Sequence, residues 1–217
     1  MTFFFRDIAP FLYRMFYGLA NNLQVASLSL LCGLLLGLVT YNAKVSYFRP
    51  LRVLANCYIE IIRNTPLLVQ IYLIFFGIAQ LGINASPFQS TMIAMVSNSG
   101  GYCAEIMRAG FKAVSHGTVE AGYALGMSSW QVFFHVRLKP AFRSAFPALT
   151  NQYVLMFLGS SVASTIAYRE LLHTTLHIES MTARTVEVFL IAGLMFYTTS
   201  FLLINVLRWL EKRIFRW

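Results

Sequence analysis

Apolar residues run in long blocks along this chain, and polar residues are gathered between them. The first block, residues 19–41, carries Asn21, Asn22 and Gln24 near one end and then becomes a clean apolar run. The second, residues 54–78, holds Arg63, Asn64, Thr65 and Pro66 in its first half, where Pro66 removes a backbone hydrogen bond and predicts a polar kink. The third, residues 88–107, has Ser97, Asn98, Ser99, Gly100 and Gly101 near its middle. The fourth, residues 146–167, includes Asn151, Gln152, Ser160, Ser161 and Ser164, and the fifth covers residues 188–209. Each block has about the 20 residues needed to cross a hydrocarbon core of ~30 Å. The pattern predicts an all-α polytopic membrane protein with about five transmembrane helices, built as one domain over residues 1–217.

The connectors differ in character. Lys44, Arg49 and Arg52 follow the first block, with Pro50 expected to break any helix there. The link after the second block, from Ala79 to Gln89, has no charge. The link after the fourth is mixed, with Arg169 and Arg184 against Glu170, Glu179 and Glu187. The N-terminal stretch places aromatics beside Arg6 and Arg14, which suits an interfacial helix, and the basic, aromatic tail after Val206 suits a membrane surface.

Composition agrees with this reading. Hydrophobic residues make up 58% of the chain and charged ones 12%, against roughly 25% in soluble domains. A net charge of +9 would suggest nucleic acid in a soluble protein. Here the positive-inside rule accounts for it, and no nucleic-acid partner is expected. With five spans and the N-terminus outside, inner segments collect Lys44, Arg49, Arg52, Arg108, Lys112, Arg137, Lys139, Arg143, Arg208, Lys212, Arg213 and Arg216. Outer segments hold only Arg6, Arg14, Arg169 and Arg184. The asymmetry predicts N-terminus outside and C-terminus cytoplasmic. Cys32, Cys57 and Cys103 lie in or beside apolar runs and form no metal-like pair.

The longest polar interruption, residues 105–140, is too ordered for a simple connector. Residues 113–125 read as a short helix along the inner surface, with Val114, Val119, Ala121 and Leu125 as apolar contact points and Glu120 as its charge. Gly126 can adopt a left-handed conformation and end that helix. Ser128 and Gln131 then fit a capping box that opens the next helix, running through Val132, Phe133 and Val136 toward Pro140. Helix, sharp turn and helix make a rigid lever between a soluble partner and the spans.

These residues carry a family resemblance. EAGYALGMSSWQVFFHVRLKP (residues 120–140) resembles the EAA loop of ATP-binding-cassette importer permeases, through Glu120, Ala121, Gly126 and Leu138. Gly122 stands for the third alanine, Val136 for an isoleucine, and Pro140 lies one place late, behind Lys139. YIEIIRNTPLLVQIYLIFFG resembles the second-span signature of the polar amino acid subfamily, with Asn64 for a glycine. GYCAEIMRAGFKAV is similar to its A-Y-x-x-E-x-x-R-x-G segment through Tyr102, Glu105, Arg108, Gly110, Ala113 and Val114. NQYVLMFLGSSVAS resembles a fourth-span segment in which many members carry Lys-Asp where Leu158 and Gly159 stand here. The resemblance covers nearly the whole chain.

It implies a type I importer permease fold in a bacterial cytoplasmic membrane. The implied partners are a pair of ATPase subunits that bind ATP and Mg, a second permease that is a paralogue or an identical copy, and an external solute-binding protein. The cargo would be a polar amino acid or a related compound such as an opine. No catalysis and no cofactor are implied for this subunit. The coupling loop would be residues 108–140, with Val119, Glu120, Ala121, Gly122, Gly126 and Met127 meeting the ATPase.

Plainer readings stand beside these. Glu120 and Gly126 alone could be a helix charge and a helix stop. Arg63 to Pro66 could be a span start whose arginine snorkels or a gate. Gln70, Asn98, Ser99, Ser160 and Ser161 could line the substrate path or pack helices together. The missing Lys-Asp pair suggests that this subunit gives its substrate few charged contacts. His173 and His177, spaced i, i+4, could hold a metal but lack an evident third ligand beyond Glu170. Ser160 with His173 could suggest an intramembrane hydrolase, but no nucleophile elbow is present. A stand-alone channel or ion-driven transporter is the alternative class and would need intramembrane charges.

Overall fold

A computed structural model describes residues 8–215 of the chain. Arg6, Asp7 and Arg216 lie outside the described residues. A 3-10 turn, Ala9–Phe11, leads into α1 (Leu12–Lys44). At 33 residues α1 is about 50 Å long, well beyond the hydrocarbon core, so its first turns and last turns extend past it. Then come α2 (Arg49–Arg63), α3 (Leu67–Gln80), α4 (Pro87–Lys112), α5 (His116–Ala124), the short α6 (Ser129–Gln131), α7 (Leu138–Gly159), α8 (Leu171–Thr182) and α9 (Thr185–Ile214). No strand occurs among the described residues.

Several boundaries differ from the sequence pattern. Pro50 starts a helix and does not break one: it sits in the first turn of α2, where its missing N–H is not needed. The expected second span is two helices meeting at 106°. Thr65 precedes a proline and so leaves the helical region, and Pro66 is extended at ψ 140 before α3 begins. The Gln70 side chain locks the bend. Its amide nitrogen donates to the carbonyl oxygens of Ile62 (2.9 Å) and Thr65 (3.1 Å) and to Thr65 Oγ1 (2.9 Å), taking up oxygens left over at the end of α2.

The fourth span also starts earlier than the apolar block. A π-helical stretch, Val132–Arg137, joins α6 to α7, and Pro140 lies within α7. Pro140 has no N–H for the carbonyl four residues back, and the widened turn ahead of it accommodates both the ring and the missing donor. At its other end α7 tightens into a 3-10 segment, Ser160–Ile166, closed by left-handed Ala167. The link after it, read from sequence as a mixed-charge connector, contains α8.

Two segments are long and apolar enough to cross a bilayer alone, residues 9–44 and Thr185–Ile214, with the bent α2–α3 pair as a third. α4 and α7 are long enough at 26 and 22 residues but carry polar groups that lower their hydropathy. Those groups face inward. Ser99, Gly100 and Gly101 on α4 are buried, as are Thr150 and Gln152 on α7. α1 and α4 approach closely along a small-residue stripe. A Cβ at Gly33 would collide with the Ser99 side chain, and one at Gly37 would stand 2.6 Å from Cys103 Cβ. Without a hydrophobic drive between helices in lipid, such close packing holds them together. Val25, Ile71, Met95, Met156 and Phe157 fill the centre where α1, α3, α4 and α7 meet. Leu31, Leu35 and Val39 on α1, and Leu194, Phe201 and Val206 on α9, remain exposed on the outside of the bundle, as lipid-facing side chains would.

Candidate functional site

The element between α4 and α7 is built from local rules. Ala113 caps α4, so Val114 lies in a turn and α5 begins at His116, three residues later than the sequence pattern suggests. At its end Gly126 takes φ +76. Its N–H donates to Tyr123 O (2.9 Å), and the Met127 N–H donates to Gly122 O (3.2 Å). These two bonds form a Schellman turn, which satisfies the last helix carbonyls. Ser128 Oγ accepts from the Gln131 N–H, and Gln131 Oε1 accepts from the Ser128 N–H at 2.9 Å, completing the expected capping box.

The hairpin has a packed side and an open side. Gly122 is buried against Val132 and Val136, with Val119 and Met127 half-buried nearby. Glu120 and Ala121 are exposed, and Glu120 Oε1 lies 3.0 Å from His116 Nδ1. Leu125 is 82% exposed and Trp130 71%, the latter stacked on Phe134 at 5.5 Å. So one acid sits beside a bare apolar edge. The hairpin is tied to the spans by an aromatic column: Phe111 at the end of α4 stacks on Tyr41 of α1 (5.2 Å) and on Phe133 (5.8 Å), with the Arg137 guanidinium over the Phe111 ring. The sequence points to Phe133 as a helix residue but not to its stacking with Phe111 and Tyr41, because contacts across three elements leave no local pattern.

Near the C-terminal end of α4, Glu105 gathers three cations. Oε1 accepts from Lys44 at 2.5 Å, Oε2 accepts from Arg108 at 2.9 Å, and the Arg63 guanidinium stands 3.9 Å away. The side chain thus joins the end of α1, the α2–α3 bend and α4.

The five expected path residues are not gathered around one cleft, although Gln70 and Asn98 meet. A cleft of about 490 Å³ opens between the α2–α3 bend, α4 and α7, and of the five only Asn98 lines it. Asn98 donates to Gln70 Oε1 at 3.1 Å, and Gln70 is turned into the bend. Ser99 faces Gly33 of α1 and lies 3.6 Å from Cys103 Sγ. Ser160 is buried near α1, where it accepts from Asn22 at 2.7 Å and donates to Phe157 O; Ser161 donates to Leu158 O. Arg63, Tyr102 and Gln152 line the cleft and were not among the expected path residues.

Glu170 is the largest departure in the link after α7. The sequence places it in an outer, mixed-charge link, yet it is fully buried. Its carboxylate caps α8, accepting from the N–H groups of His173 (2.6 Å) and Leu172 (2.8 Å), and from Asn22 Nδ2 of α1 (3.0 Å). Burial pushes its pKa from 4.5 up to about 7, while these three donors pull the other way. A raised carboxyl pKa means that the folded protein holds the proton more tightly than the unfolded chain. Stability from this group is therefore full below about pH 4.5, falls as pH rises to about 7, and is flat beyond, an amplitude of roughly 3 kcal/mol. Glu170→Gln, which cannot ionise, should remove that slope when unfolding midpoints are compared between pH 5 and 8. An unchanged slope in the variant would assign the pH dependence to other groups.

A cavity of about 570 Å³ lies away from both features, between the start of α1 and α8. His173 and His177 line it with Arg14 and Arg169, and no group of three metal-type ligands occurs among the described residues.

A helical bundle with inward polar groups, an open cleft and an exposed, well-capped hairpin is the build of a membrane transport subunit. Sequence comparison is specific. The chain matches the binding-protein-dependent transport system inner membrane component over residues 29–216 and belongs to that family. It is 35% identical over 201 residues to the L-cystine transport system permease protein TcyB of Bacillus subtilis (strain 168), covering 92% of this chain and 86% of that one. It is 31% identical to the arginine transport system permease protein ArtQ of the same organism, covering 91% and 90%. The crystal structure of an amino acid ABC transporter with histidines superposes with a TM-score of 0.93 at 33% identity, over 98% of this chain and 100% of that chain. The protein is a multi-pass membrane permease subunit of an ABC importer, and ATP hydrolysis belongs to a separate subunit.

Proposed function

We propose that this subunit imports a polar amino acid or a close derivative, the kind of cargo named for its relatives, across a bacterial cytoplasmic membrane. The N-terminal end of α1 faces outward, and the α4–α7 hairpin with the C-terminal end of α9 faces the cytoplasm. Basic residues concentrated at those inner ends support this orientation. An external solute-binding protein delivers the cargo, and a second permease, paralogous or identical, completes the path. The whole of residues 1–217 acts as one permease domain.

The observation that carries the reading is the α5 hairpin. Residues 108–140 form the coupling loop, with Glu120, Ala121 and the exposed Leu125 edge seated in a groove of the ATPase, which binds ATP and Mg. Gly122, Gly126, Val119 and Met127 fix the shape of the loop. The Schellman turn, the capping box and the Phe111 column make it stiff, so closure of the ATPases is passed to α1, α4 and α7 and not absorbed in a loose connector. Glu120→Lys should leave membrane insertion intact and abolish co-purification of the ATPase, because the residue is exposed and supports no core packing. Normal ATPase recovery and normal ATP-driven uptake in proteoliposomes would refute the docking assignment.

A further inference from the structure

α7 and α9 pack together, and each borders a long stretch without charge. Residues 144–168 carry no charged side chain, and neither do residues 188–207, which as helix rise about 30 Å, the thickness of a hydrocarbon core. Arg143 and Arg208 are the charges that bound these stretches at the same end of the bundle. Both therefore stand where hydrocarbon gives way to head groups. Trp209 marks the same level: it is 53% exposed, with the Arg213 guanidinium 4.6 Å from its ring centroid.

Arg143 and Arg208 line one cavity of about 360 Å³ between α7 and α9, together with Lys212, Glu211 and Phe215. Three cations thus face one acid. Arg208 and Lys212 are exposed and pair with no acid among the described residues, Glu211 included. Cations gathered in this way repel one another unless an anion joins them. Arg208 and Glu211 also border a smaller space of about 130 Å³, walled by Pro147, Thr150, Asn151 and Ile204, about one turn nearer the bilayer centre. Thr150 is 9% exposed there, and its Oγ1 has no hydrogen-bond partner. Buried hydroxyls normally find one, so an open one beside a cavity points to a ligand. Farther along α9, Phe201 and Leu202 are exposed as on a lipid-facing surface. From the end of α9 inward the groove offers cations, then an open hydroxyl, then an apolar face. A phospholipid presents phosphate, ester carbonyls and acyl chains in that order. An acidic protein surface matches only the first of the three.

We propose that the groove between α7 and α9 binds one anionic phospholipid. Arg208 and Lys212 donate to its phosphate with Arg143 beside them, Thr150 Oγ1 donates to an ester carbonyl, and an acyl chain follows α9 past Ile204. The bound lipid braces α9 against α7, the helix that continues from the hairpin. The site requires only that the chain lies in a bilayer, and depends neither on the cargo nor on which end of the bundle faces the cytoplasm.

The test uses the assembled complex with its ATPase and second permease in detergent micelles, labelled with a photoactivatable phosphatidylglycerol and mapped on this chain by peptide mass spectrometry. Label should concentrate in residues 138–151 and 204–215. Unlabelled phosphatidylglycerol should displace it at concentrations at least about tenfold lower than phosphatidylcholine with the same chains. Arg208→Gln with Lys212→Gln should weaken labelling about thirtyfold, since each basic residue beside an anionic head group contributes a factor of about five. Both side chains are exposed, so assembly should be retained. Arg49→Gln with Arg52→Gln removes two exposed cations from another connector and should leave labelling unchanged. Thr150→Val should weaken it about threefold without lowering the unfolding midpoint, because the hydroxyl is bonded to nothing in the fold. Equal losses in the two arginine-containing double variants would reduce the effect to general surface charge and overturn the site. Displacement of the label by 10 mM inorganic phosphate would make it a site for soluble anions, and loss of the ATPase or second permease from the Arg208 and Lys212 variant with labelling intact would make it a protein contact. Either result overturns the lipid assignment.

Discussion

Glu105→Ala is expected to be the most damaging single substitution in the bundle. It leaves Lys44, Arg63 and Arg108 facing one another near the C-terminal end of α4 with no carboxylate between them. Removing one partner of a buried ion pair costs about 3–5 kcal/mol, and the low end applies here because both arginines are about two-fifths exposed and keep some water. The three cations come from α1, from the α2–α3 bend and from α4, so their repulsion acts to separate elements that must pack. The expected result is a lower unfolding midpoint and poor recovery of assembled complex. Lys44→Met combined with Glu105→Ala should recover part of the loss, because it removes the cation that makes the shortest pair. A double mutant no more stable than the single would show that repulsion is not the cause.

Gly126 gives the second large effect, and this one should fall on coupling before stability. Its φ of +76 lies in the left-handed region. A Cβ there would meet nothing within 4 Å, so the penalty for substitution is purely conformational. For a β-branched residue it is roughly 1–2 kcal/mol or more. Gly126→Val should therefore unwind the Schellman turn, free the end of α5 and uncouple the ATPase, with uptake falling at least about tenfold while insertion is retained. Gly126→Asn is the matched control: asparagine tolerates the left-handed region, so its uptake should stay near wild type. Equal losses in the two variants would mean that the site needs the absence of a side chain, as at a protein contact, and not the turn itself.

The two substitutions also mark different kinds of legibility. Gly126, Ser128 and Gln131 could be read in advance because their rules act over three or four residues along one helix end. Asn98 could be nominated as a polar group at membrane depth, but nothing local tells whether such a group faces a cleft or a neighbouring helix. Ser99 and Ser160 look like Asn98 in sequence, yet they are directed at α1 by Gly33 and Asn22 respectively. Gln152, which lines the cleft, could not be told from Asn151 beside it.

The sequence by itself determined the helical class, the five apolar blocks, the gathering of basic charge in a few connectors and the shape of the hairpin between α4 and α7. Each of these follows from hydropathy or from short-range capping chemistry. Only the tertiary structure decided that Pro66 turns one block into two helices at 106°, because Gln70 and Asn98 must come together to hold the bend. It alone showed Glu105 as the hub of three cations and Glu170 as a buried cap bonded to Asn22, 148 positions away in the chain. Such pairings depend on which helix faces lie against each other, and that is settled by close packing at Gly33, Gly37 and their neighbours across the whole bundle.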